Sequence, residues 1–220
     1  MSTKEKYAVW VDCVCAWMED VGPKISNEKC GSASAIQSPP AIDGHCKVLF
    51  LGHDAHEPYP FSGANRNRFF EGNKTFKDAH RKWTIWKRPC NSLRRIGHTE
   101  IIEPGNFMLM NLFYFGADNV AGAVKNMRKN VMDKCIDFTE ELVRDIIKPK
   151  VIVCFSECSV FSHIRSRLTA VEKIQLADGV TVSSGKWYDI PVIGMRHPSG
   201  RGVANKYLDT VFDYVVKQVK

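Results

Sequence analysis

Residues 46–56 read Cys-Lys-Val-Leu-Phe-Leu-Gly-His-Asp-Ala-His. The apolar run through Leu51 is too short for a helix, and Gly52 closes it. It therefore predicts a buried strand that delivers His53 and Asp54 to its carboxyl end. Working outward, Asn106–Phe115, Lys150–Phe155 and Asp189–Met195 are three further apolar runs of strand length. Helical spacing appears between and around them. Tyr7, Trp10, Val11, Val14, Cys15 and Met18 predict a helix over 4–20, and Val124, Met127, Val131, Cys135, Phe138, Leu142 and Ile146 predict one that Pro149 stops. A helix passes through Phe161, Ile164 and Leu168, and a last one presents Tyr207, Leu208, Val211, Phe212, Val215, Val216 and Val219 on one face. Residues 31–45 and 53–100 read as loop and long excursion, and 177–187 as a turn or hairpin.

Continuous apolar strands alternating with helices predict an α/β fold. The expected form is a three-layer αβα sandwich around a central, mostly parallel four-stranded sheet. A single domain over 1–220 is expected, with 1–45 as N-terminal helix and loop and 46–220 as core. The composition fits a folded chain, with 44% hydrophobic and 25% charged residues. No run reaches the ~18 apolar residues of a membrane span, and Met1–Lys6 opens no signal-peptide core. A soluble, cytoplasmic protein is expected, monomeric and without membrane contact. Cysteines 13, 15, 30, 46, 90, 135, 154 and 158 read as reduced, mostly buried thiols. The first four lack the paired C-x2-C knuckles of a zinc site, so neither metal nor cofactor is expected.

The charge is concentrated. Arg66, Arg68, Lys74, Lys77, Arg81, Lys82, Lys87, Arg88, Arg94 and Arg95 are opposed within their segment only by Glu71 and Asp78, which accounts for the whole net charge of +7. Phe69, Phe70, Phe76, Trp83 and Trp86 lie in the same segment. Cations interleaved with aromatics suit a polyanion with stackable bases; a solvated loop with a few core aromatics is the other reading.

In open α/β sheets the site lies outside the carboxyl ends of the strands. Gly52-His53-Asp54, Asn111, Ser156-Glu157 and His197-Pro198-Ser199 occupy those positions. An Asp, an Asn and a His converging beside a basic segment form a candidate chemical constellation, although each has a structural use as a cap, a loop amide or a buried imidazole.

These residues resemble the motifs of the uracil-DNA glycosylase superfamily. Leu51-Gly52-His53-Asp54-Ala55-His56 stands where that family has G-Q-D-P-Y or G-I-N-P-G, and Phe61-Ser62-Gly63-Ala64-Asn65-Arg66-Asn67-Arg68-Phe69 resembles the N-R-F region of its mismatch-specific branch. Met108-Leu109-Met110-Asn111 is similar to L-L-L-N, and His197-Pro198-Ser199-Gly200-Arg201 to a blend of H-P-S and N-P-S-G. The chain departs from the pattern at Ala55-His56, where the family has Pro-Tyr against the thymine methyl.

The resemblance implies a DNA base-excision glycosylase that hydrolyses the N-glycosidic bond of uracil or a related damaged base after flipping it from the strand. Asp54 and His197 take the catalytic roles, with Asp54 orienting water near the sugar cation and His197 donating to the base oxygen. Gly52, His53, Phe61 and Asn111 form the base pocket, Phe61 by stacking and Asn111 by reading the base edge. Ser62, Asn67, Arg68, Pro198, Ser199, Gly200 and Arg201 contact DNA, with Arg201 in the place of the family's wedge. Two other readings stand beside it: a non-catalytic nucleic-acid-binding module on the same scaffold, and a metal-dependent hydrolase using His53, Asp54 and His56, with Glu57, His45 and His197 as further ligands.

Overall fold

A computed structural model describes residues 1–43, 45–57, 59–119, 124–125 and 127–219. The strands are β1 (Cys30–Ala33), β2 (Val48–Gly52), β3 (Phe107–Asn111), β4 (Phe115–Ala117), β5 (Val151–Cys154), β6 (Thr169–Gln175), β7 (Thr181–Trp187) and β8 (Ile190–Gly194). The main helices are α1 (Thr3–Ile25), α2 (Arg66–Glu71), α3 (Thr84–Arg95), α4 (Lys129–Glu141) and α5 (Asn205–Val219).

The chain is α/β with a mostly parallel central sheet of six strands in the order β3-β2-β5-β8-β7-β6. The four expected strands are β3, β2, β5 and β8, and they run parallel. The hairpin β6–β7 extends the sheet by two antiparallel strands, which corrects the expected count of four. A second correction concerns Asn106–Phe115. That run breaks after Asn111, and β4 leaves to pair with β1 in a small antiparallel sheet. The stretch 31–45 therefore begins in strand rather than loop.

Alternation along the strands sends side chains to both faces. Leu49, Leu51, Met108 and Met110 join one apolar cluster with α1 and α4. Val48, Phe50, Phe107 and Leu109 join the other with α3 and α5. With both faces of the sheet packed against helices, the arrangement is compatible with three layers. The long excursion is not outside the core, because Trp86, Cys90 and Leu93 of α3 are buried in the second cluster.

Local chemistry fixes the ends of the elements. Ser2 caps α1 in a reciprocal box, its hydroxyl accepting from the Glu5 amide at 3.3 Å while the Glu5 carboxylate accepts from the Ser2 amide at 2.6 Å. Beyond α4 the chain winds into a wider turn and stops at Lys148, whose φ of +42° precedes Pro149. Buried polar groups on α1 are satisfied across the core: the Tyr7 hydroxyl donates to the Phe69 carbonyl at 2.6 Å, and the Trp10 indole to the Phe138 carbonyl at 2.9 Å. Burial pushes the Cys46, Cys90 and Cys135 thiols up to about 12. Thiols held neutral in this way behave as small apolar packing groups. No helix among the described residues is long and apolar enough to cross a membrane.

Candidate active site

The ends of β2 and β3 sit side by side, with Gly52 paired in register with Asn111. Both chains then turn together. The Leu112 and Phe113 amides donate to the Gly52 and His53 carbonyls, each at 2.8 Å, and the Ala117 amide donates to Ala55 at 3.1 Å. This ladder fixes the path of residues 52–55, and with it His53 and Asp54.

A cavity of about 580 Å³ opens at this edge. Gly52, His53, Asp54, Asn111 and His197 all line it. The carboxylate, carboxamide and imidazole expected to meet therefore share one hollow, inside the ~300–1,000 Å³ range of small-molecule sites.

Asn111 is buried and oriented from behind. Its Nδ2 donates to the Ser34 carbonyl at 2.8 Å, and its backbone amide donates to Ala35 at 2.8 Å. One amide hydrogen and the Oδ1 oxygen are left for other contacts. A Cβ at Gly52 would lie 2.8 Å from that oxygen. Gly52→Ala is expected to displace the carboxamide and lower affinity for a base-bearing ligand by about tenfold while the chain stays folded, a cost of ~1–3 kcal/mol for overpacking; titration with the ligand beside a thermal melt checks it.

Asp54 and His53 form a pair with side chains only 5% and 6% exposed, the imidazole Nδ1 bonded to the carboxylate. The His53 ring lies edge-on to Phe113 at 4.7 Å and faces His163 at 5.6 Å. Its Nε2 has no hydrogen-bond partner among the described residues. Desolvation first, and the nearby His53 second, hold His163 below the ordinary histidine pKa. The unfolded chain therefore takes up its proton first, so this group destabilises the fold as pH drops below ~6.5. His163→Gln is expected to lose less thermal stability than the parent between pH 7 and pH 5.5, read from melts across that range.

His197 reaches the cavity from the loop after β8. Its Nδ1 accepts from the Ser199 amide at 3.2 Å, which places the ring hydrogen on Nε2. Desolvation lowers its pKa, favouring this neutral form. The loop itself is clamped. The Arg88 guanidinium of α3 donates to the Pro198 carbonyl at 2.6 Å and to the Val203 carbonyl, and the Arg196 amide donates to the Tyr207 hydroxyl at 2.8 Å.

Other expected site residues lie elsewhere. Phe61 does not line the cavity: its ring packs on Gly22 of α1 and lies 6.2 Å from Phe115, and its amide donates to the Ser26 hydroxyl at 2.7 Å. The aromatic at the cavity is Trp83. Arg68 is not a free cation. It makes a two-pronged pair with Glu57 at 2.7 and 2.9 Å and donates to the Ala33 carbonyl at 3.0 Å. Ser62 and Asn67 are exposed outside the cavity lining, on the segment that runs beside α1. Ser199 and Arg201 are exposed on the clamped loop, with Pro198 buried and Gly200 between them.

Gln37 and Asn73, both at the cavity, carried no sequence signal because they sit in irregular stretches. Gln37 Nε2 donates to the same Ser34 carbonyl that holds Asn111, at 2.8 Å, and Asn73 bridges to Glu57 at 3.1 Å. Among the described residues, no three His, Cys, Asp or Glu side chains gather as a metal-ligand set. Compared with known proteins, the chain matches no protein-family model and no curated protein.

Proposed function

We propose that the chain is a DNA base-excision glycosylase that hydrolyses the N-glycosidic bond of uracil or a related damaged base. One observation carries the reading: Asp54, Asn111 and His197, far apart in sequence, line one cavity at the carboxyl edge of the parallel strands. The finer fold, a three-layer sandwich of the uracil-DNA glycosylase kind, belongs to the same proposal.

The chemistry follows from the groups. Breaking the glycosidic bond builds positive charge on the sugar and negative charge on the departing base. The Asp54 carboxylate, fixed by His53 Nδ1, stabilises the first and orients the attacking water. His197, with its hydrogen on Nε2, donates toward the oxygen where the second charge grows. Asn111 offers a hydrogen and an oxygen to a base edge, so one carboxamide orientation separates uracil from cytosine. Trp83, Ile85 and Leu109 supply the apolar wall against which a flipped ring packs. Trp83 thus takes the stacking role that the sequence reading gave to Phe61. The partner on this reading is DNA, its phosphates met by the basic segment Arg66–Arg95 rather than by the cavity lining, which holds no Lys or Arg among the described residues.

The test is incubation with oligonucleotides carrying single altered bases, followed by alkali to cut at abasic sites. Strand scission at one or more altered bases is expected. Binding that weakens with salt but yields no abasic site would leave a non-catalytic binding module, and no binding at all would remove both.

A further inference from the structure

We propose that a second cavity, of about 510 Å³ beside the first, is a subsite for a nucleotide, taking the base on an aromatic floor and the phosphate on a cationic rim. The floor is the half-buried Phe76 ring, with the buried Trp86 and Phe107 rings packed behind it. Trp86 stacks on Phe107 at 4.9 Å, and Phe76 lies 6.0 Å and 6.1 Å from the two rings. The rim carries Lys74, Lys77 and Arg94, all exposed, with His80 beside them and Glu71 as the one carboxylate in the lining.

Some cations of this segment are neutralised by acids and others, those of the rim among them, are not. Arg66, Arg68, Lys82 and Arg95 each pair with an acid, namely Asp12, Glu57, Asp78 and Asp209. Among the described residues, Lys74, Lys77 and Arg94 pair with none. Unneutralised cations around a hollow attract an anion. Inorganic phosphate would leave the aromatic floor unused, and an uncharged ring would leave the rim unused. A flat ring carrying phosphate uses both.

The two cavities are neighbours. Asn73 lines both, and Phe76 of the second lies 6.0 Å from Trp83 of the first. A strand with one base in the first cavity can therefore lay an adjacent nucleotide in the second. That source rests on the glycosylase reading, whereas a free nucleotide does not.

The experiment has two arms. In the first, wild type and the Lys77→Glu/Arg94→Glu variant are titrated with dAMP, deoxyadenosine and deoxyribose 5-phosphate. Only dAMP is expected to bind well, with loss of base or of phosphate weakening it at least tenfold, and the variant weakening it similarly. In the second, a uracil-bearing single-stranded 12-mer has its flanking bases removed one at a time. Removal at one flank is expected to weaken binding by about tenfold, in line with stacking worth ~1–3 kcal/mol per base, and Phe76→Ala should flatten that dependence.

A flank effect that Phe76→Ala flattens marks the DNA strand as the source. A dAMP effect without it marks a free nucleotide. If dAMP is bound no less well by the charge variant, or not bound at all, and no flank effect responds to Phe76→Ala, the proposal is overturned. Failure to excise any base, with dAMP binding intact, would overturn the glycosylase reading and leave the subsite standing.

Discussion

His197→Ala is expected to slow single-turnover excision of uracil from an oligonucleotide by about 10²–10³-fold, the usual cost of losing one preorganised donor to a developing anion. Binding of the same oligonucleotide should change by no more than about threefold, because Arg88 and Tyr207 still hold the loop when the ring's one hydrogen bond to the Ser199 amide is lost. Asp54→Asn should cost at least as much in rate. It keeps the size of the group and an acceptor for His53 Nδ1 but removes the negative charge beside the sugar. The two losses should combine less than additively, because both act on one transition state. A His197→Ala protein as active as wild type would sink the assignment of donor, whatever remained of binding. The acid side of the rate profile gives a second reading. His197 has its pKa lowered by desolvation, so rate should hold at pH values below the ordinary histidine midpoint of ~6.5 before protonation breaks the Ser199 hydrogen bond.

How far the sequence reveals this site depends on which residues obey a pattern. The four parallel strands are apolar on both faces, so their runs stand out. Each run ends near a residue of the cavity, which is why Gly52, His53, Asp54, Asn111 and His197 could be named together. Residues 177–187 read as a turn or hairpin, which covers β7 and the turn before it, but β6 carried no such signal. It lies at the sheet edge with Glu172 and Lys173 exposed on β6, where charge protects an edge without marking a core strand. Helix α3 was hidden for a different reason. Pro89 and the flanking cations mask the apolar spacing of Trp86, Cys90 and Leu93. The side chains and carbonyls that orient the site, on Gln37, Ser34 and Asn73, act through single hydrogen bonds from irregular segments, and no periodicity reports such bonds. Phe61 and Arg68 show the opposite case. They matched a motif by order, but the chain between Phe61 and Phe69 runs along α1, so one ring fills a gap over Gly22 and one guanidinium braces Glu57.

That last placement yields the largest expected effect on stability. Arg68 joins α2 to β1 through the Ala33 carbonyl and to the segment after β2 through Glu57, with both charged side chains about four-fifths buried. Among the described residues, Arg68→Ala would leave the Glu57 carboxylate with only the Asn73 amide. Breaking a fully buried pair costs ~3–5 kcal/mol. Solvent reaches part of this one, so a loss of about 2–3 kcal/mol is expected, read as a lower denaturant midpoint with an unchanged slope. Arg68→Lys should recover less than half of that, because an ammonium cannot make the two-pronged pair and reach Ala33 as well. The same variants separate bracing from phosphate binding. If Arg68 held a DNA phosphate, its removal would cut the slope of log Kd against log salt by about 0.7–0.9 and weaken every sequence alike. If Arg68 is a brace, its removal should leave that slope unchanged below the melting temperature, since the cations without acidic partners are elsewhere on the segment. An unchanged denaturant midpoint together with a reduced salt slope would return Arg68 to the DNA surface and reopen the motif order as a guide to this part of the chain.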